Sequence, residues 1–207
     1  MIDLLEVTQG LDLKKFIFLG SQAEYGNISH KVSEEDVVQP MSAYASVKLS
    51  CLQILKTYSE LNHVNWLWLR VFSVFGERES DAWLIPSVIK KMKTGTEMDF
   101  TGGAQQYAYL YAGDFANILL LIVKSEIKSG IYNVSGNDTL TLKSLLSQLR
   151  DAINPSFQLN FGAIPYRQNQ SMLIQGDITK LTNEIGVIDF TDFNVALSKT
   201  LNYYLSK

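Results

Sequence analysis

The stretch Lys15-Phe16-Ile17-Phe18-Leu19-Gly20-Ser21-Gln22-Ala23-Glu24-Tyr25-Gly26 decides the fold, together with Tyr44-Ala45-Ser46-Val47-Lys48 after a polar loop. Residues 15–19 make a short, continuous apolar run closed by a glycine. That is the pattern of a strand buried on both faces in a parallel sheet. Gly20-Ser21 then falls at the strand's C-terminal end, where open α/β sheets place their ligand sites. Gly26 to Met41 reads as surface loop, closed by Pro40. Ser42 suits the N-cap of a helix over 42–61, along which Val47, Cys51, Leu52, Leu55 and Tyr58 recur at helical spacing. Tyr44 and Lys48 stand one turn apart on one face of it. The β-former-rich run Val64 to Val71 predicts a second buried strand, running into Phe72-Ser73-Val74-Phe75-Gly76.

Outward from this centre, Ile2, Leu4, Leu5 and Val7 read as the end of a helix stopped by Gly10. Helices are expected over Leu84 to Lys93, over Phe115 to Val123 with Asp114 as cap, and from Thr141 to about Ile153. Further helices are expected over Ile178 to Glu184 with Asp177 as cap, and over Phe193 to Leu205. Strands are expected at Met98 to Phe100, Tyr107 to Tyr111, Gly130 to Val134 and Phe157 to Phe161. Such alternation argues for an α/β fold. The chain divides into residues 1–80 and a smaller lobe over 81–207, some elements of which return to the first part.

Hydrophobic residues at 46% and charged residues at 19% fit a globular chain rather than a disordered one. A net charge of −3 gives no electrostatic reason to expect nucleic acid as a partner. The one cysteine, Cys51, excludes an internal disulfide and reads as a buried, inert thiol. It suits a cytoplasmic location. The longest apolar run, Ile118 to Val123, is short of the roughly 18 residues a membrane helix needs. Acids stand near the N-terminus where a signal peptide carries bases. No membrane partner and no metal are expected.

The chemistry sits with Tyr44 and Lys48. A free tyrosine, with a pKa of about 10, is a poor base at neutral pH. An ammonium nearby favours the phenolate and brings the group towards its working range. The Ser21 hydroxyl at the strand end can hold a substrate oxygen and stabilise charge developing on it. Tyr-x-x-x-Lys also arises by chance on amphipathic helices, so the pair alone does not decide.

Three blocks carry a resemblance: Leu19 to Gly26, Ser42 to Lys48, and Arg70-Val71-Phe72-Ser73-Val74-Phe75-Gly76. Their order and separation resemble the extended short-chain dehydrogenase/reductases, the NAD-dependent nucleotide-sugar epimerases, dehydratases and ketoreductases. Further matching segments follow in order. They are Leu84-Ile85-Pro86, Gly102-Gly103-Ala104-Gln105, Tyr109 to Asp114, Gly130 to Gly136, Pro165-Tyr166-Arg167 and Asp177 to Leu181. The resemblance covers essentially the whole chain.

It implies the C-terminal portion of a Rossmann-like doubly wound parallel sheet plus a smaller α/β substrate-binding lobe. It implies Tyr44 as general acid/base, with Lys48 tuning it and bonding the ribose of NAD or NADP. Ser21 would hold the sugar oxygen. Arg167 would contact the diphosphate of a nucleotide-sugar substrate, where a guanidinium fork suits paired oxygens. Ser73 would lie near the same phosphates.

Departures from the pattern matter too. Gln22 and Ala23 stand where sugar 4,6-dehydratases carry Asp and Glu, which argues against water elimination. Tyr107 and Ala108 replace an Arg-Asp pair that often precedes the Tyr-x-Tyr strand. The wording is most similar to 6-deoxy nucleotide-sugar reductases and epimerases of the CDP-abequose synthase type. No G-x-x-G-x-x-G occurs, so the glycine turn that receives a dinucleotide pyrophosphate is not in these residues. Two expectations result. One is a nucleotide-sugar 4-epimerase or 4-ketoreductase that needs a front half from a longer protein or a complementing chain. The other is a remnant without turnover that binds a nucleotide sugar or a partner. A sheet edge left open by a truncated fold predicts self-association.

Overall fold

The computed structural model describes residues 1–8 and 10–206. Its centre is a three-stranded parallel sheet of β1 (Lys15–Ser21), β2 (Asn65–Val71) and β7 (Gly130–Val134), in the order β1-β2-β7. The unbroken apolar runs are explained by helices on both faces. Phe16, Phe18, Trp66 and Trp68 pack beneath Leu52 and Leu55 of α2 (Ala43–Asn62), with Phe18 stacked on Trp68 at 4.7 Å. The alternate residues Ile17, Leu67, Leu69, Tyr132 and Val134 meet Ile118 and Ile122 of α4 (Ala112–Lys124) and Leu181 of α6 (Thr179–Ile185). Strand–helix–strand crossovers of this kind generate a parallel sheet clad on both sides. Lys15 Nζ donates to the carbonyls of Ile122 and Ser125 at the C-terminus of α4, a favourable place for a cation.

A second core gathers α3 (Leu84–Thr94), α5 (Leu142–Ile153) and α7 (Phe193–Leu205) around the parallel pair β4 (Glu97–Phe100) and β9 (Gln158–Phe161). Ser42, Thr141 and Asp192 accept N-cap hydrogen bonds at the starts of α2, α5 and α7. Helix α1 (Ile2–Val7) opens the chain. No helix among the described residues is long and apolar enough to cross a membrane.

Five expectations need correction. Tyr107 to Tyr111 is not one strand. β5 (Gln106–Tyr107) lies between β10 (Leu173–Ile174) and β8 (Leu140–Thr141), whereas β6 (Leu110–Tyr111) pairs with β3 (Val74–Phe75). The chain changes partners within two residues: Ala108 N–H donates to Ile174 O and Leu110 N–H to Ser73 O. Asp114 does not cap α4, whose N-cap is Tyr111. It is buried in the first turn and accepts from Thr191 N–H (3.0 Å) and Thr191 Oγ1 (2.6 Å). The 26–41 loop is not all surface, because Ile28 and Val32 are buried against Tyr25 and Phe72. Cys51 is half-buried rather than buried. Asp177 accepts from Thr179 N–H and Oγ1, one residue ahead of the Ile178 N-cap of α6.

Candidate active site

The tip of β1 is built around a carboxylate. Ser21 is the N-cap of a one-turn 3-10 helix, Gln22–Tyr25, and its Oγ accepts from Ala23 N–H (3.2 Å). Glu24 reaches back so that its Oε1 accepts from Ser21 N–H (2.8 Å), completing a reciprocal capping box. Glu24 is 0% exposed and accepts three more hydrogen bonds. Trp68 Nε1 donates to both oxygens (3.0 and 3.1 Å), and Arg70 Nε donates to Oε2 (2.8 Å). Gly20 leaves the room for this arrangement. A Cβ there would stand 2.1 Å from Trp68 Nε1 and 2.7 Å from Glu24 Oε1.

The network continues under the site. The Arg70 guanidinium lies over the Tyr25 ring at 4.4 Å from its centroid, and Tyr25 OH donates to Asn133 Oδ1 (2.7 Å). Asn133 Nδ2 donates to Val32 O and its N–H to Glu34 Oε1. Burial pushes the Tyr25 hydroxyl above its ordinary pKa despite the opposing Arg70, so it stays a neutral donor. The reading of the sequence overlooked Glu24, although Ser21-x-x-Glu24 is a legible capping-box signature. Nothing local in the sequence announces that Arg70 is buried.

Two clefts flank Ser21. One, of about 520 Å³, is lined by Ser21, Ser73, Glu79, Trp83, Tyr107 and Tyr109 among others. The second, of about 430 Å³, is lined by Arg167 and the loop after it, by Ser42, and by the 22–27 turn. Gln22 lines both. In the first, Glu79 Oε1 accepts from Gly76 N–H (3.0 Å), and burial raises its carboxyl against that hydrogen bond. Burial likewise raises the Tyr107 hydroxyl, which accepts from Gln170 Nε2 (3.0 Å).

Of the five residues named from the sequence, Ser21 and Ser73 share one cleft and Arg167 lines its neighbour. Tyr44 and Lys48 line neither. They stand together on the outward face of the first turns of α2, with Tyr44 57% exposed and Lys48 Nζ 5.7 Å from the centre of its ring. Lys48 Nζ also donates to Leu19 O (2.8 Å), which ties α2 to the end of β1 two residues before Ser21.

This geometry has relatives. A model of the NAD dependent epimerase/dehydratase family matches residues 1–135. CDP-abequose synthase of Salmonella muenchen is 29% identical over 145 residues, which is 69% of this chain and 50% of that protein. The chain thus spans half the length of that relative. The UDP-N-acetylglucosamine 4-epimerase of Methanobrevibacter ruminantium M1, solved with UDP-N-acetylmuramic acid, superposes with a TM-score of 0.89 at 26% identity. That superposition covers 99% of this chain and 67% of the solved one. The UDP-glucuronic acid 4-epimerase of Bacillus cereus, solved with UDP-glucuronic acid and NAD, gives 0.89 at 23% identity, over 98% of this chain and 65% of that one, and is a likeness of fold.

Proposed function

The chain belongs to the NAD dependent epimerase/dehydratase family, and on that premise we propose that its site serves epimerisation or keto reduction at C4 of a nucleotide sugar. The observation that carries the reading is Ser21. It is held by a fully buried carboxylate at the tip of a parallel strand, in a cleft it shares with Ser73 and beside one lined by Arg167. Residues 1–80 then hold the acid/base groups and 81–207 mainly the substrate lobe.

Tyr44 exchanges the proton of the sugar hydroxyl, with the Lys48 ammonium 5.7 Å from the centre of its ring. Ser21 Oγ donates to the same sugar oxygen, and Arg167 pairs with the diphosphate. Gln22 offers an amide where sugar 4,6-dehydratases carry an acid, which argues against water elimination. The chemistry NAD or NADP supplies when bound is reversible hydride transfer at the sugar carbon. Tyr44 and Lys48, outward-facing and adjacent, fit its nicotinamide-ribose end. The 207 residues contain no glycine turn for its pyrophosphate.

A second reading, favoured by Tyr44 and Lys48 lining neither cleft, is a chain that binds nucleotide sugar without turnover of its own. Fluorescence titration with NADH and NADPH separates the two. Micromolar binding supports the first, and sugar-nucleotide binding without cofactor binding supports the second. Where turnover is found, Tyr44→Phe lowers it by about 10²–10⁴-fold with cofactor affinity kept; unchanged turnover removes Tyr44 from the mechanism. Among the described residues β1 pairs only with β2, and Leu19 is 42% exposed. Self-association through that edge, or pairing with a complementing chain, is therefore expected. A concentration-independent monomer in light scattering would speak against it.

A further inference from the structure

We propose that Tyr107 binds the diphosphate of the nucleotide sugar as a neutral hydroxyl donor beside the Arg167 cation, at the boundary where the two clefts meet. The inference rests on the nucleotide-sugar reading of the site and adds a binding residue to it. Three observations lead to it.

First, the boundary is built from both sides. Tyr107 and Ser73 line the cleft that holds Ser21, Arg167 and Gln170 line its neighbour, and Gln22 lines both. The segment that carries Arg167 is fastened to the stretch around β5 at two points. Tyr166 OH accepts from Ala104 N–H (3.0 Å), and Tyr107 OH accepts from Gln170 Nε2 (3.0 Å). Just beyond, β10 runs parallel to β5, with Gln106 N–H donating to Met172 O (2.8 Å). Tyr107 therefore stands on a paired strand, with the Arg167 guanidinium close enough for its charge to act on the hydroxyl.

Second, the Tyr107 proton is unspent. A phenol oxygen accepts and its O–H donates. The oxygen takes a bond from Gln170, and among the described residues no acceptor is found for the O–H. Burial raises this hydroxyl above its ordinary pKa, with Gln170 and Arg167 opposing, so it carries its proton at neutral pH.

Third, the donors match what a diphosphate lacks. Phosphate oxygens only accept, and hydrogen bonds to an ionised acceptor are the strong ones. Arg167 supplies a charge, while the hydroxyls of Tyr107 and Ser73 add donors without a second cation to desolvate. Glu79 lines the same cleft, but the charge that acts on the Tyr107 hydroxyl is that of Arg167. The boundary is thus a place for an anion.

The test is calorimetric titration of the wild-type chain and three variants with UDP and with UDP-glucose, at about 0.05 M and about 0.5 M salt. Tyr107→Phe is expected to bind both ligands about tenfold more weakly. The factor should be the same at both salt concentrations, because the lost donor is neutral. Arg167→Gln is expected to weaken binding and to flatten its salt dependence. Gln170→Leu, which removes the bond to Tyr107 but leaves its O–H, is expected to stay within about threefold of wild type. A loss below about fivefold in Tyr107→Phe overturns the inference and leaves the nucleotide-sugar reading intact. So does an equal loss in Gln170→Leu, or a salt dependence flattened in Tyr107→Phe as in Arg167→Gln. Either would mean that Tyr107 only holds the Arg167 segment in place. Absence of wild-type binding to both ligands overturns the nucleotide-sugar reading and the inference together.

Discussion

Two glutamates flank Ser21, and their circumstances are opposite. Glu24, beneath it, is fully buried and accepts from a backbone N–H, an indole and a guanidinium. Glu79, in front of it, faces a cleft with one backbone donor on one oxygen. A buried charge persists only when partners replace the water it has lost. A carboxylate with oxygen to spare in a cleft is free to meet a ligand. Glu24, at the floor of the site, is thus a structural charge, whereas Glu79, at its rim, keeps an oxygen open towards the cleft, although both sit on turns that follow strands. Changes at Arg70, Gly20 and Glu79 each strike one side of that contrast.

Arg70→Met has the largest expected effect, because it leaves Glu24 buried with its counter-charge gone. A loss of about 3–5 kcal/mol is the usual size. The lower end is expected, since Arg70 Nη1 is itself buried with no hydrogen-bond partner among the described residues. Urea unfolding measures it. The double change Glu24→Gln with Arg70→Met, which removes the charge but keeps an acceptor for Ser21 N–H and Trp68 Nε1, should recover part of the loss, and a double mutant as unstable as the sum of the singles would break the account of Glu24 and Arg70 as a charge pair. The same removal at Glu79 should leave stability nearly untouched.

Gly20→Ala comes next. Its Cβ would collide with Trp68 Nε1 and Glu24 Oε1, and overpacking of this kind costs about 1–3 kcal/mol. The displaced carboxylate would also release Ser21 N–H, so ligand affinity should fall along with stability. Stability lost with affinity kept would show that the floor holds the fold but does not set Ser21.

The fold was largely legible because local and global signals agree. Apolar runs, helix caps and the spacing of Tyr44 and Lys48 all lie in contiguous sequence. What could not be read depends on which element comes to lie alongside. Leu19 and Leu69 are register partners across β1 and β2, yet one is 42% exposed and the other 0%. Period and composition are the same in both strands, so only the presence or absence of a further neighbour separates edge from centre. Asp114 fails for a related reason: a capping preference is a local prior, and Thr191, 77 positions away, outbids it. Of the candidate site, the place of Ser21 at the end of β1 was legible from the apolar run before it. Glu79 was not, because its place in the cleft depends on segments that the sequence does not set side by side.

The smallest expected effect bears most directly on the rim. Burial raises the folded-state pKa of Glu79, with Gly76 N–H opposing. The unfolded chain should titrate near the ordinary value of about 4.3. Between that value and the raised one, the folded state binds more protons than the unfolded state. Wild-type stability therefore falls as pH rises through this window, and Glu79→Gln, having no charge to desolvate, escapes the fall. With Glu79 partly open to solvent, screening limits the difference to about half a kcal/mol or less. Urea unfolding of both proteins at steps from pH 4 to pH 7 measures it, with the variant gaining on wild type as pH rises. A wild type that gains on the variant instead would mean that the folded protein welcomes the charge. Glu79 would then belong with Glu24 among the satisfied carboxylates, and the contrast between floor and rim would lose its physical basis.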